Sequence, residues 1–332
     1  MLMRRIGLVA GLLGSVPLPV GCALAKERAL KDIRTLSGSC RESPYGPGDY
    51  FRETEYGGRK RRYIVHVPPG YSRERPVPVV MYFHGGGASA INSRPWLGLD
   101  ALADQKGFIT VYPYGTGILP RKLLTFNAGS CCGYAMKHNV DDVGFTRAML
   151  DELGRAFCVD PKRVYSTGYS NGAMMSYRLA CEMPDRIAAI GPVAGTLATN
   201  IRCSPSRGVS VMHIHGTRDP YEPFGGGKGE KAFPGKIQRT VFRGVEETVK
   251  IWTGLIGASP QPTRTVVRGA ATGHFYGGGR NGSEVVLWEI KGGGHTWPGA
   301  RSMPMDSMLG PINRDISATQ LLWEFFERHP IR

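Results

Sequence analysis

Ser170 is the side chain best placed to do chemistry, because of what surrounds it: Gly168-Tyr169-Ser170-Asn171-Gly172. Upstream, Arg163-Val164-Tyr165-Ser166-Thr167 is short and β-branched and predicts a buried strand. Downstream, Ala173 to Ala180 predicts a helix. A G-x-S-x-G between a strand and a helix is a sharp turn that lifts a serine hydroxyl clear of a sheet. Glycine two residues to either side removes the side chains that would collide there. The helix that follows aims N–H groups and its positive dipole end at charge developing on a carbonyl oxygen. The chemistry is nucleophilic acyl transfer. With 46 glycines in 332 residues the pentapeptide alone is weak; its strand–helix context carries the reading.

A serine hydroxyl is a poor nucleophile until a base takes its proton, and the base needs an orienting acid. His274, His295 and His329 follow Ser170 at useful distances. His329 is near the chain end, and His274 is expected in a loop before the last strand. His295 directly follows that strand, in Lys291-Gly292-Gly293-Gly294-His295-Thr296-Trp297-Pro298-Gly299, where glycines free a loop to aim an imidazole. His295 is therefore the expected base. Asp219 ends Gly216-Thr217-Arg218-Asp219, just after the strand Val209 to His215, and is the expected acid; Asp185, beside Pro184, reads as a turn residue. Two oxyanion donors are needed. One is the backbone N–H of Asn171. The other comes from His84-Gly85-Gly86-Gly87, with Gly86 the first choice and Gly87 the second, because missing side chains let the backbone approach substrate. His84 itself is expected to be a structural hydrogen-bonding residue. His213 and His215 share one face of a strand; core hydrogen bonding, not metal binding, is expected of them. Gly225-Gly226-Gly227-Lys228-Gly229 is not followed by Ser or Thr, so nucleotide binding is not expected.

These residues need a frame that gathers strand ends. Arg62 to Val67 alternates and predicts a strand; Pro76 to Phe83 and Phe108 to Pro113 are apolar runs that predict strands covered on both faces. Asp100 to Lys106 reads as a helix end. Asn127 to Asn139 is a loop, and Asp141-Asp142 opens a helix through Phe157 with Phe145, Met149, Leu153 and Phe157 at helical spacing. Ile187 to Val193 and Glu284 to Ile290 predict strands, Val245 to Ile256 a helix, and Pro220 to Gly235 a glycine-rich loop. Ser317 is expected to cap a last helix, Ala318 to Arg328. Strands alternating with helices give an α/β fold with a mostly parallel central sheet and helices on both faces. Catalytic groups then belong at the carboxyl ends of strands, in the chain order serine, acid, histidine.

Composition fits a globular enzyme, at 41% hydrophobic and 21% charged. The formal charge of +15 favours an acidic partner or surface, but no basic stripe with interleaved aromatics points to nucleic acid. Residues 1–25 read as a signal peptide: Arg4 and Arg5, an apolar run Ile6 to Val20 too short for a membrane span, and Ala23-Leu24-Ala25 before cleavage. The expectation is secretion without stable membrane insertion, with a lipoprotein through Cys22 the less favoured route. Residues 26–48 read as a loosely held arm, with Cys40 as the candidate tie, and 49–332 as the catalytic domain. Apart from Cys22 there are six cysteines, Cys40, Cys131, Cys132, Cys158, Cys181 and Cys203, which suggests disulfides in an exported chain. The adjacent Cys131 and Cys132 are expected to bind different partners, not each other.

Taken together, His84-Gly85-Gly86-Gly87, Asn127-Ala128-Gly129 with Cys131-Cys132-Gly133, Val140-Asp141-Asp142-Val143-Gly144-Phe145, Gly168 to Met175, His215-Gly216-Thr217-x-Asp219 and Gly294-His295-Thr296-Trp297-Pro298-Gly299 resemble one family. It is the secreted esterase family of poly(3-hydroxybutyrate) depolymerases, LpqC-like esterases and feruloyl or acetylxylan esterases of carbohydrate esterase family one. The resemblance spans roughly Tyr50 to Pro330. It implies an α/β-hydrolase fold, no cofactor, and Ser170, Asp219 and His295 as triad. It also implies that Trp297, the aromatic beside the catalytic histidine, lines the acyl pocket or packs in the core. Tyr169, next to the nucleophile, is grouped with it as substrate-binding. Gly257-Ala258-Ser259 departs from the family pattern, in which a cysteine often follows the helix. The expected activity is a serine carboxylesterase acting through an acyl-enzyme. Its expected substrate is a hydroxycinnamoyl or acetyl ester on plant polysaccharide, with a polyhydroxyalkanoate polyester as runner-up. A non-catalytic carbohydrate-binding protein on a hydrolase scaffold is the rival of another class.

Overall fold

The computed structural model of the chain describes residues 30–34, 36, 38–119, 121–232, 240–303 and 306–332. The expected signal peptide, with Cys22, and residues 233–239 around the end of the glycine-rich loop lie outside them. In chain order the strands are β1 (Lys31–Asp32), β2 (Gly48–Tyr56), β3 (Arg59–Val67), β4 (Val77–Phe83), β5 (Ile109–Pro113), β6 (Val159–Tyr169), β7 (Ala189–Val193), β8 (Ser210–Gly216), β9 (Gly227–Lys228), β10 (Val241–Phe242), β11 (Arg264–Arg268), β12 (Ala271–Tyr276) and β13 (Val285–Ile290). The helices are α1 (Ala90–Leu97), α2 (Leu99–Lys106), α3 (Gly133–Lys137), α4 (Asp142–Ala156), α5 (Asn171–Glu182), α6 (Val245–Ile256), α7 (Asp306–Leu309) and α8 (Ala318–Glu327).

Among the described residues eleven strands form one sheet in the order β1-β2-β3-β5-β4-β6-β7-β8-β13-β12-β11. From β5 to β13 every neighbouring pair is parallel. The antiparallel strands β2 and β3 flank it on one side, and β12 and β11 on the other. The central strands are apolar throughout because both faces are covered. Alternate residues of β4 show this: Val79, Met81 and Phe83 enter one core with Phe145, Met149 and Trp252, while Val80 and Tyr82 enter a second with Leu102, Phe325 and Phe326. So α4 and α6 pack on one face and α2 and α8 on the other.

Local chemistry sets the helix starts. Asp141 caps α4, its carboxylate accepting from the Gly144 N–H at 2.8 Å, and Ser317 caps α8 by accepting from Gln320 N–H. Three expectations need correction. The arm is not loose in its described part: β1 pairs parallel with β2, Ile33 is buried, and Cys40 is bonded to Cys158. His274 lies in β12, opposite Leu287, and not in a loop. Cys181 pairs with Cys203, and Cys131 and Cys132 are joined to each other across the peptide bond between them. Among the described cysteines the other four are paired off, and these two are the pair that remains.

Candidate active site

β6 ends at Tyr169 and α5 begins at Asn171, so Ser170 is the single residue of the turn, at φ +56° and ψ −122°. A non-glycine residue stays in that region only where its surroundings over-determine it. Here the Ser170 N–H donates to the Val193 carbonyl at 2.9 Å, and its own carbonyl accepts from Ala173 and Met174. A Cβ on Gly168 would overlap the Gly172 backbone, and one on Gly172 would overlap the Phe83 carbonyl. Both glycines are therefore required by the crossing of α5 over β4. They are placed as the sequence reading expects.

The loop after β4 lies against the start of α5. A Cβ on Gly86 would stand 3.7 Å from the Asn171 Cβ. Among the described residues the N–H groups of Gly86 and Asn171 have no hydrogen-bond partner, so two free donors sit side by side. Gly87, the second choice, drops out: its N–H donates to the Leu124 carbonyl at 2.8 Å. His84 explains why the Gly86 donor is free. The buried His84 Nδ1 meets the Gly85 carbonyl at 2.8 Å, while its Nε2 accepts from the Gly115 N–H at 3.0 Å. Gly85 C=O and Gly86 N–H belong to one trans peptide and point opposite ways. Tying the carbonyl to the imidazole therefore turns the N–H away from it. Burial pushes the His84 pKa down to about 4, consistent with a neutral ring that donates from Nδ1. Asn171 is clamped likewise. Its side-chain oxygen accepts from Phe126 N–H at 2.8 Å and its Nδ2 donates to Phe126 O at 3.0 Å.

On the opposite side, His295 Nδ1 donates to Asp219 Oδ2 at 2.6 Å, with both side chains fully buried. Asp219 Oδ1 accepts from the N–H groups of Tyr221 and Glu222 at 2.8 and 2.9 Å. Burial opposes the charge of Asp219, but the charge of His295 and hydrogen bonds from His215 and His295 hold its carboxyl well below the usual range. His295 Nε2 is buried and has no partner among the described residues, so no hydrogen bond to Ser170 closes in this structure. Such contacts commonly tighten only when substrate is bound. Tyr169 donates from its hydroxyl to the His295 carbonyl at 2.5 Å and lays its ring against Gly85. It thus ties the end of β6 to the His295 loop.

Trp297 is 1% exposed. Its ring packs against Tyr82 and Trp96, and its N–H donates to Thr319 Oγ1 at 3.0 Å. Of the two places the resemblance allows, the structure gives it the core behind the His295 loop and not an open pocket wall. The sequence reading passes over the support of the Asn127 loop. Arg61 and Asp142 form a buried ion pair at 2.6 Å, and the second Asp142 oxygen accepts from Asn127 N–H. Arg61 lies in Arg59-Lys60-Arg61-Arg62, which reads as surface charge; the inward period of β3 is the signal that singles it out.

Comparison with known proteins bears on this arrangement. A family model described as Phospholipase/Carboxylesterase matches residues 144–247. The protein named "Putative esterase NocK" of Nocardia uniformis subsp. tsuyamanensis is 32% identical over 288 residues, covering 82% of this chain and 81% of that one. Feruloyl esterase B of Piromyces equi is 32% identical over 242 residues; the match covers 71% of this chain but 42% of that protein. Feruloyl esterase D of Neurospora crassa is 26% identical over 320 residues, covering 90% and 94%. In fold, the chain resembles an acetyl xylan esterase from Aspergillus awamori, with a TM-score of 0.53 at 16% identity, covering 74% of this chain and 94% of that one.

Proposed function

The chain belongs to the α/β-hydrolase family of carboxylic esterases that holds the feruloyl esterases, and on that premise we propose that Ser170, His295 and Asp219 act as its catalytic triad. It is a carboxylic-ester hydrolase. Ser170 Oγ attacks the ester carbonyl while His295 Nε2 takes its proton. Asp219 keeps the imidazole in the tautomer that presents Nε2 and stabilises the imidazolium. The carbonyl oxygen becomes an oxyanion between the N–H groups of Gly86 and Asn171. His295 returns the proton to the leaving alcohol, and water activated by the same imidazole releases the acid. The observation that carries this reading is the placement of two unpaired N–H groups beside a serine held at positive φ.

The substrate we propose is a hydroxycinnamoyl or acetyl ester on plant cell-wall polysaccharide, supported by the named relatives and by the +15 charge, which suits an acidic polymer. Action outside the cell is proposed with it, since disulfides suit an oxidising compartment. A polyester reading has one observation in its favour. Ile118, Leu119 and Leu123 are 82%, 50% and 63% exposed on a loop that pairs with Gly87 through Leu124. The test is a panel of methyl ferulate, acetylated xylan, a short p-nitrophenyl ester and a polyhydroxybutyrate suspension, with Ser170→Ala as control. Ferulate or acetate release, falling on the order of 10⁶-fold in the variant, is expected. Undiminished activity in Ser170→Ala would overturn the triad, and polyester clearing without ferulate or acetate release would overturn the substrate class.

A further inference from the structure

Behind the acid of the site lies a line of polar side chains that the mechanism above does not use. Tyr177 Oη meets His213 Nδ1 at 2.9 Å. His213 Nε2 meets His215 Nδ1 at 3.1 Å, with the two rings parallel within 5°. His215 Nε2 meets the Glu222 carbonyl at 2.8 Å and Asp219 Oδ2 at 3.3 Å. All of these side chains are buried.

We propose that His215 is a positioning residue for the Asp219–His295 pair, held in one tautomer by a hydrogen-bond chain that begins at Tyr177 and passes through His213. The inference rests on the reading of Ser170, Asp219 and His295 as one catalytic unit. Its direction follows from what each atom can do. The Glu222 carbonyl and the Asp219 carboxylate only accept, so His215 Nε2 carries a proton. With that single proton on the ring, Nδ1 is bare and accepts from His213 Nε2–H. That leaves His213 Nδ1 bare, to accept from the Tyr177 hydroxyl. Burial holds His213 well below its ordinary range and raises Tyr177, so ring and phenol keep these roles. Every proton in the chain thus points toward Asp219. The ionisable groups around His215 are Asp219 and Glu222 on the loop that follows it, His295 on the loop after β13, His213 within β8 and Tyr177 from α5.

The consequence is double. His215 Nε2–H, donating to the Glu222 carbonyl, stands 3.3 Å from Asp219 Oδ2 and sets its positive end beside that oxygen, which also accepts from His295. It also fixes the Glu222 carbonyl, in the residue whose N–H holds Asp219 Oδ1. Without it the carboxylate loses the neighbouring N–H dipole, becomes more basic toward His295, and gains freedom to turn.

The test compares His215→Phe, which keeps a ring but removes the donor, with His215→Gln, which restores an N–H. Tyr177→Phe is the third arm, removing only the far end of the chain. Each is assayed on a p-nitrophenyl ester across pH, with active sites counted by a phosphonate that labels Ser170. Expected for His215→Phe is a kcat per active site roughly 10–100-fold lower, the worth of a hydrogen bond to a charged group, with KM little changed. The acid limb of kcat/KM moves to higher pH. His215→Gln recovers most of kcat, and Tyr177→Phe moves the limb in the same direction by less. A limb that stays in place in every variant that folds, or a loss of rate that vanishes once active sites are counted, overturns the inference. Turnover and labelling that persist in Ser170→Ala overturn the underlying triad instead, so the two failures are distinct.

Discussion

A single imidazole decides which way the N–H of Gly86, the proposed oxyanion donor, faces. His84 is fully buried and bonded on both nitrogens, to Gly85 O and Gly115 N–H. Replacing it by Ala leaves both of those groups without a partner and frees the Gly85–Gly86 peptide to turn. Removing one oxyanion donor costs about 10²–10³ in kcat, so His84→Ala is expected to approach that loss with KM little altered, while His84→Asn, able to donate to the carbonyl, keeps more of it. Steady-state kinetics on a p-nitrophenyl ester separate the two parameters. Equal loss in kcat from both variants would count against the peptide-holding role. Protonation of His84 would place an N–H against the Gly115 N–H. Because its pKa is held down to about 4 in the fold, its stabilising effect is complete above the ordinary histidine value near 6.5 and lost as pH falls through about 4. At this scale the sequence is most legible where local geometry restricts residue type: the turn at Ser170 leaves no room for a side chain at Gly168 or Gly172. The sequence is a poor guide to Trp297 and to Cys131 with Cys132, because large apolar and thiol side chains serve packing, pockets and pairing alike.

Elements differ in how plainly they are written. β4, β5, β7 and β8 are covered on both faces and show as apolar runs, and α6 follows its helical period from Val245 to Ile256. β2 was missed because Gly48–Tyr56 lies toward the sheet edge with mixed exposure, so polar residues alternate irregularly. α1 was missed because it contains Pro95 and shows no apolar stripe. The β11–β12 hairpin follows the same rule: four of the five residues of β11 are exposed. In the N-terminal arm the two-residue strand β1 leaves no periodic mark, whereas Cys40, the candidate tie, is the residue that does hold it, through Cys158. The Cys40–Cys158 bond spans 118 residues and meets the fold just before β6. Ser170 follows the other end of that strand, 12 residues after Cys158. Replacing both cysteines by serine is therefore expected to lower unfolding free energy by about 2–5 kcal/mol. It should leave kcat per active site unchanged. Urea unfolding followed by circular dichroism, paired with active-site counting, checks both halves; a stability equal to that of the native chain would show that β1 and Ile33 hold the arm without the bond.

Across the whole molecule, charges tie distant parts of the chain to one side of the sheet. His66 in β3 lies between Asp49 of β2 at 2.7 Å and Asp104 of α2 at 2.9 Å, while Arg94 of α1 pairs with Asp49 and Asp100. Asp100 also accepts from the hydroxyls of Thr110 and Tyr112 at 2.6 Å, so β2, β3, β5, α1 and α2 meet in one network. Burial works against the charge of His66, but hydrogen bonds to Asp49 and Asp104 and the charges of Asp100 and Asp49 raise its pKa. Burial also opposes the charge of Asp49, which the hydrogen bond from His66 and the charge of Arg94 bring below the ordinary value. The two shifts fix the signs. The raised imidazole contributes stability that is complete below the unfolded histidine value near 6.5 and is lost as pH rises through the folded value. The lowered carboxyl contributes stability that is present above about 3.9 and is lost as pH falls. Both contributions are therefore whole only between roughly pH 4 and 6.5, so this network is strongest in mildly acidic solution. Urea midpoints of the native chain and of His66→Gln, measured from pH 5 to pH 9, isolate the histidine, because the titrations they share cancel. The native chain is expected to be the more stable at pH 5–6, with the gap closing as the solution becomes alkaline. A gap that stays constant across that range would mean that His66 supports β3 by packing and neutral hydrogen bonds, with no contribution from its charge.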